Sequence, residues 1–166
     1  MKKLNVLKII IDLFLFLTIP LLLLTLFFTP YILRTNEIVV SKINGLNIAT
    51  EDNYSKLIFL MIIISYVLLI YCVFIFRKII VSFKKRILFN DKISSQFKKL
   101  GLFLILSSFL NGIPTLFYKL FYTKENILVL SINSFLILFT FGLFFIVLSE
   151  IFLIAFKTKS DNELTI

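Results

Sequence analysis

Few side chains in this sequence could do chemistry, and two acidic ones lie within apolar runs. The chain has no His, no Trp and one Cys. Asp12 lies one turn into the first apolar run, and Glu150 lies at the end of the last. An ionisable residue in such a place is a candidate for proton or substrate handling. Because Lys8, Arg77 and Lys78 are expected at a similar depth, a structural ion pair is the alternative interpretation.

Two carboxylates alone indicate no recognisable reaction. The sequence has no HExxH zinc motif and no nucleophile–base arrangement of the kind that an intramembrane protease needs. Cys72 lies among apolar residues, where a thiol behaves as a small hydrophobe. We therefore predict a protein that is not an enzyme and holds no metal or other cofactor.

The composition indicates a membrane protein. Of the 166 residues, 60% are hydrophobic and 16% are charged, whereas soluble domains have nearly half apolar and about a quarter charged residues. A single soluble core could not bury so many apolar side chains. Crossing the hydrocarbon core of a bilayer takes roughly 20 apolar residues in an α-helix. Four runs meet this requirement: residues 9–33, 57–76, 100–118 and 127–149.

These runs predict an all-α membrane protein that forms one domain over residues 1–166, an antiparallel four-helix transmembrane bundle. The loop at 34–56, between the first two runs, contains Asn44-Gly45 between β-branched residues. This dipeptide is a strong signal for a two-residue hairpin turn, because both turn positions need positive φ. We expect a small extracytoplasmic β-hairpin there.

Small and polar residues mark the helix faces that we expect inside the bundle, because packing rather than hydrophobicity drives helix association in lipid. Pro20, Pro30 and Pro114 are expected to kink or end their helices. We expect the main break at residues 111–114, in the third run. The predicted packing residues are Gly101, Ser108, Gly112, Ser131 and Gly142.

Lys and Arg are distributed unevenly around the four runs. Three precede the first run, eight lie in the connector 77–99, and two lie in the tail 150–166, whereas the two other loops hold five. Cytoplasmic segments are rich in Lys and Arg. We therefore expect the connector and both termini in the cytoplasm.

The basic connector is the predicted contact surface. Anionic lipid headgroups are the favoured ligand, since each nearby cation contributes about 1 kcal/mol. Docking of an acidic partner is the second interpretation, and direct nucleic-acid binding is not expected because nothing else in the chain indicates it. The residues assigned to this surface are Arg77, Lys78, Lys84, Lys85, Arg86, Lys98 and Lys99.

The connector and the end of the chain resemble a known family. Residues 83–85 (FKK), 89–93 (FNDKI) and 97–101 (FKKLG) are similar to the entry into the third helix of a bacterial membrane family called domain of unknown function 2975. Residues 150–152 (EIF) and 161–166 (DNELTI) are similar to the closing segment of that family. The resemblance covers the whole length, and it implies a multi-pass protein of the bacterial plasma membrane with uncharacterised activity.

The resemblance also implies a partner, because genes of that family often lie beside genes for small helix-turn-helix regulators. The leading hypothesis is a non-enzymatic binding or signalling protein that tethers such a cytoplasmic transcriptional regulator. The alternatives are a small transporter or channel component, and an accessory subunit of a membrane complex. A homo-oligomer is compatible with each of them.

Overall fold

The described part of the chain folds into four long α-helices, a short π-helix and one pair of short strands. A computed structural model describes residues 2–35, 40–43, 46–50, 52–85, 91–123 and 131–164. All four helices are long and apolar enough to cross a membrane, so the expectation of an all-α protein with four long apolar helices is confirmed. The elements in chain order are α1 (Lys2–Arg34), β1 (Val40–Ile43), β2 (Leu46–Ala49), α2 (Asn53–Lys84), α3 (Asp91–Tyr118), a π-helix (Lys119–Thr123) and α4 (Ser131–Leu164).

The helices extend beyond the apolar runs. α2 continues to Lys84, past the run that ends at residue 76, and α3 begins at Asp91, nine residues before its run. An acidic residue such as Asp91 suits the first turn of a helix, where the macrodipole is positive. α4 begins at Ser131, and residues 124–130, in which the fourth run was expected to begin, lie outside the described residues. The basic connector is therefore helical on both sides of residues 86–90.

The best-packed part of the molecule is formed by α2, α3 and α4. In the most apolar windows of α3 and α2, 44% and 39% of the residues are buried, compared with 11% in each of those of α1 and α4. α4 belongs to this part of the molecule because it packs along α3. Ile93, Phe97 and Leu100 follow helical spacing on α3, and all three are buried against α2 and α4. This face of α3 is the centre of the core.

α1 lies at the edge of the bundle and packs against α2. Its main contact is a small cluster of Ile11 and Leu15 with Ile80 of α2. Most of its other side chains face outward, and Phe16 and Phe27 are each 80% exposed. An apolar surface of this extent needs an apolar environment such as lipid.

The strands β1 and β2 pair in an antiparallel hairpin. The register joins Val40 to Ala49 and Ile43 to Leu46, so two residues connect the strands. These two, the predicted turn Asn44-Gly45, lie outside the described residues. Ile48 is fully buried in a cluster with residues of α2 and α3, so the helix ends support the hairpin.

None of the three prolines ends its helix, and the expectation of a break at residues 111–114 is wrong. α3 continues through Pro114 to Tyr118. Thr115 stabilises this turn, because its Oγ1 donates a hydrogen bond to the backbone oxygen of Asn111 at 2.6 Å. Pro114 lacks the backbone N–H that would bond to the oxygen of Leu110, and it is buried in the bundle, where packing against neighbouring helices keeps the helix continuous.

Candidate functional site

The acidic group of α1 has basic partners. Arg77 of α2 donates a hydrogen bond from its Nε to Oδ1 of Asp12, and Nζ of Lys8 lies 3.8 Å from Oδ2 of the same carboxylate. The side chains of Asp12 and Arg77 keep 37% and 40% of their surface exposed. This ion pair joins α1 to α2 directly beside the cluster of Ile11, Leu15 and Ile80.

The structure does not bring the two candidate acids together. Glu150 lies on α4 with its side chain exposed. The charged partners of Asp12 are instead Lys8 and Arg77. Asp12 and Glu150 therefore do not form a carboxylate pair.

The predicted basic surface lies where α2, α3 and α4 meet beyond their apolar windows. Lys84 and Lys85 at the end of α2, and Lys98 and Lys99 near the start of α3, are exposed. We call these four residues the basic surface, and the end of the bundle that carries it the basic end. Lys78 is also exposed, Arg77 binds Asp12, and Arg86 lies outside the described residues.

An aromatic cluster holds the three helices together at the basic surface. It consists of Phe83 of α2, Phe97 of α3 and Phe152 of α4. The ring of Phe152 stacks on Phe97 and on Phe83, with ring centroids 5.1 Å and 5.7 Å apart. Lys84 and Lys98 directly follow two of these rings in the chain, so the packing of the buried Phe97 and the partly buried Phe83 holds their backbone positions.

Glycines bring α3 and α4 into close contact. A Cβ atom on Gly101 would lie 2.6 Å from the carbonyl oxygen of Gly142, and one on Gly142 would lie 2.6 Å from Cγ1 of Ile105. Further along the same interface, a Cβ on Gly112 would lie 2.7 Å from Cδ2 of Phe135. Gly101 and Gly142 therefore lie where the two helix backbones approach most closely, and Gly112 leaves room for the side chain of Phe135.

The other two predicted packing residues contribute differently. Ser108 is fully buried, but its Oγ donates to the backbone oxygen of Ile105 in its own helix at 2.7 Å. It therefore fills space at the interface without a hydrogen bond across it. Ser131 is the first residue of α4, and its side chain lies outside the described part of the structure.

Sequence reasoning missed a reciprocal serine pair between α3 and α4. Oγ of Ser94 donates to the backbone oxygen of Ser149, and Oγ of Ser149 donates to that of Ser94, both at 2.9 Å. Both side chains are buried. Ser149 lies seven residues after Gly142 on α4, at helical spacing, but Ser94 precedes the third apolar run, in a segment that the sequence assigned to the connector. The helical spacing from Ser94 to Gly101 is the signal that could have revealed it.

A second polar contact joins α2 and α3 in mid-bundle. Ser107 donates from Oγ to the backbone oxygen of Ser65 at 3.0 Å, and Nδ2 of Asn111 donates to Oγ of Ser65 at 3.2 Å. Oγ of Ser65 in turn donates to the backbone oxygen of Ile62 at 2.7 Å. These polar groups are bonded to one another and to helix carbonyls, which is how buried polar groups contribute to helix association in lipid.

At the end of the bundle opposite the basic surface, two contacts join neighbouring elements: α3 to the hairpin, and α2 to the end of α1. The hydroxyl of Tyr118 accepts a hydrogen bond from the backbone N–H of Ala49 at 2.8 Å, so α3 contacts the hairpin. Lys56 of α2 donates from Nζ to the backbone oxygens of Leu33 and Thr35, at 3.2 Å and 2.9 Å. A cation at these carbonyls suits the negative end of the α1 macrodipole.

Catalytic and metal-binding groups are dispersed in the described residues. Within the described ranges, no three Cys, Asp or Glu side chains gather at one place. Cys72 is buried between α2 and α3, with its Sγ 3.9 Å from the backbone oxygen of Leu100.

Comparison with family models agrees with the resemblance of the connector and the tail. Residues 38–166 match the family described as "Protein of unknown function (DUF2975)". The match begins just before β1, so α1 lies outside it. No curated protein and no solved structure matches the chain. Because the matched segment covers well over half of the sequence, the chain belongs to the DUF2975 family.

Proposed function

We propose that this protein is a non-enzymatic membrane protein that binds a cytoplasmic partner at its basic surface. The observation that carries this proposal is that exposed Lys side chains stand on helix ends whose positions are held by aromatic packing. Lys84, Lys85, Lys98 and Lys99 stand on helix ends that the aromatic cluster packs together. A surface whose charges are held by packed helices can discriminate between partners, because charge complementarity gives specificity.

The proposal includes an orientation. The basic end faces the cytoplasm of a bacterial plasma membrane, both termini lie there, and the hairpin lies outside. The distribution of Lys and Arg supports this orientation. The contacts support an antiparallel bundle: Ser94 near the start of α3 meets Ser149 in the later half of α4, and Gly112 near the end of α3 meets Phe135 near the start of α4.

The partner that we propose is a small helix-turn-helix regulator with an acidic face. The basic surface carries four exposed Lys side chains, and an acidic face would meet them with opposite charge. Such contacts are screened by salt when they are exposed. Binding should therefore weaken as the ionic strength rises.

A small transporter is the competing proposal, and the mid-bundle contacts favour the binding protein over it. A transport pathway through the bundle would need polar side chains in mid-bundle that are free to contact the transported ion or molecule. The polar side chains at that level include Ser65, Ser107 and Asn111. Their side chains are already bonded across the α2–α3 interface or to helix carbonyls. These hydrogen bonds support a role in holding the helices together.

A pull-down with charge variants tests the proposed function. The tagged protein, in nanodiscs that contain phosphatidylcholine alone, serves as bait for the purified regulator encoded by a neighbouring gene. Replacing Lys84, Lys85, Lys98 and Lys99 by Gln should reduce recovery by tenfold or more, because four exposed ion pairs are lost and each contributes about 0.2–1 kcal/mol. Replacing the same four by Arg should preserve recovery, because the charges remain. Equal recovery by wild type, both variants and an unrelated membrane bait would overturn the proposal.

A further inference from the structure

A long apolar groove separates α1 from the rest of the bundle. Its volume is about 1000 Å³, at the upper end of the range for ligand pockets. Its α1 wall includes Phe14 and Leu21, and its α2 wall includes Ile70 and Val73. Phe14 is 50% exposed and Leu21 is 67% exposed, so the groove opens sideways, toward the surrounding lipid.

α1 is attached to α2 at two places, one at each end of the groove. At the basic end, Asp12 binds Arg77. At the other end, Lys56 binds the backbone oxygens of Leu33 and Thr35. With a helical rise of 1.5 Å per residue, the two attachments are roughly 30 Å apart, which is about the thickness of the hydrocarbon core. The groove therefore extends through the apolar layer between two fixed points.

The Thr hydroxyls on the α1 wall already have hydrogen-bond partners within α1, so they do not need a polar ligand. Thr18 donates from Oγ1 to the backbone oxygen of Phe14 at 2.8 Å, and Thr25 donates to that of Leu22 at 2.8 Å. Their hydroxyls are thus bonded within α1. Since an apolar cavity stays dry and an unfilled wall loses its van der Waals contacts, the groove suits a long hydrocarbon chain.

The apolar stripes of both walls end in a cation at the basic end. On α2, the lining residues Ile70 and Val73 are followed at helical spacing by Arg77. On α1, the stripe passes through Phe14 and Ile11 to Lys8. Asp12 neutralises one of these two charges, so the basic end of the groove keeps a net positive charge beside a partly exposed Arg77 side chain.

We propose that the groove between α1 and α2 binds an anionic phospholipid, with one acyl chain along the apolar walls and its phosphate beside Lys8 and Arg77. The charge at the end of the groove selects an anionic over a zwitterionic headgroup. The lipid fills the gap between the two attachments of α1. It is a bound component of the protein, distinct from the lipids that merely surround the bundle.

Tryptophan quenching tests this proposal, because the natural chain contains no Trp. Phe14→Trp places the indole in the groove, and the matched control Phe16→Trp places it on the exposed side of α1 at nearly the same depth. Each variant is reconstituted in phosphatidylcholine vesicles that contain a small fraction of brominated phosphatidylglycerol or, separately, the same fraction of brominated phosphatidylcholine.

The groove site predicts a lipid preference at position 14 that position 16 lacks. Brominated phosphatidylglycerol should quench Phe14→Trp more strongly, as if enriched about fivefold over brominated phosphatidylcholine, and the two lipids should quench Phe16→Trp equally. Adding Arg77→Gln to Phe14→Trp should remove the preference, whereas adding Arg77→Lys should retain much of it.

Equal quenching of both positions by both lipids would mean that position 14 contacts only the lipids of the surrounding bilayer, without a bound anionic lipid. Protection of Phe14→Trp from both would mean that α1 or a helix of a second copy closes the groove. Either result would overturn the proposal.

Discussion

Gly101 of α3 and Gly142 of α4 face each other so closely that neither position has room for a Cβ atom. On Gly101 that atom would lie 2.6 Å from the carbonyl oxygen of Gly142, and on Gly142 it would lie 2.9 Å from the carbonyl oxygen of Gly101. Backbone oxygens cannot move aside as the end of a side chain can. This contact sets the distance between the two helices, and the serine pair Ser94–Ser149 depends on that distance.

Replacing Gly101 by Ala should separate α3 from α4. Overpacking of this kind costs about 1–3 kcal/mol of unfolding free energy, measured by denaturation in mixed micelles. The control is Leu102→Ala, because Leu102 is exposed next to Gly101 and lipid or detergent contacts it in the folded state. The glycine contact would not be structural if the two variants were equally stable.

Ser94→Ala should weaken the same interface by a smaller amount. The variant loses the hydrogen bond to the backbone oxygen of Ser149 and leaves that of Ser149 to Ser94 in place. Hydrogen bonds between membrane helices contribute about 0.6 kcal/mol on average and up to about 1.7. Ser95→Ala, on the exposed side of α3, is the matched control for the same denaturation experiment. A Ser94→Ala variant as stable as Ser95→Ala would contradict the reciprocal pair.

Asp12→Asn should loosen α1 from α2 at the basic end. The neutral side chain loses its charge interaction with Arg77 and Lys8. In a background with Cys72 replaced by Ser, cysteines introduced at Ile11 and Ile80, which share one cluster, should form a disulfide more slowly once Asp12 is changed. Glu150→Gln should leave the rate unchanged, because Glu150 is exposed on α4. Identical rates in all three proteins would argue against a structural ion pair.

Proteoliposomes that contain the protein should be no more permeable to protons or potassium ions than empty liposomes. The reason is that the mid-bundle polar side chains Ser65, Ser107 and Asn111 are engaged in hydrogen bonds. The flux is followed with a pH-sensitive or potassium-sensitive dye. A flux that Asp12→Asn abolishes would instead establish the transporter hypothesis and assign Asp12 to the pathway.

The helices and the hairpin could be predicted because each depends on local sequence. Apolar runs of sufficient length become helices in lipid whatever their neighbours, and a two-residue Asn-Gly connection between β-branched residues specifies a hairpin. The glycines of α3 and α4 were also recognisable, since small residues at helical spacing mark close approach.

The serine pair, the unbroken helix at Pro114, the ion pair of Asp12 and the groove depend on which helices pack together and on which residues lie at the same level along the bundle. Nothing local to Ser94 says that Ser149 will face it, and Pro114 breaks an isolated helix but not one that is packed between neighbours. Asp12 and Glu150 look alike in sequence, yet one meets Arg77 and the other faces outward. The groove beside α1 is likewise invisible in the sequence, because it arises from the two attachments of that helix.

Cysteine accessibility in intact cells shows whether the chain spans the membrane with its basic end in the cytoplasm. Asn53→Cys, at the start of α2, and Lys98→Cys, on the basic surface, are both exposed positions, and the natural Cys72 is buried. A membrane-impermeant maleimide should label Asn53→Cys in intact cells and should label Lys98→Cys only after lysis. Labelling of Lys98→Cys in intact cells, or release of the protein from membranes by alkaline carbonate, would contradict this orientation of the chain in the membrane.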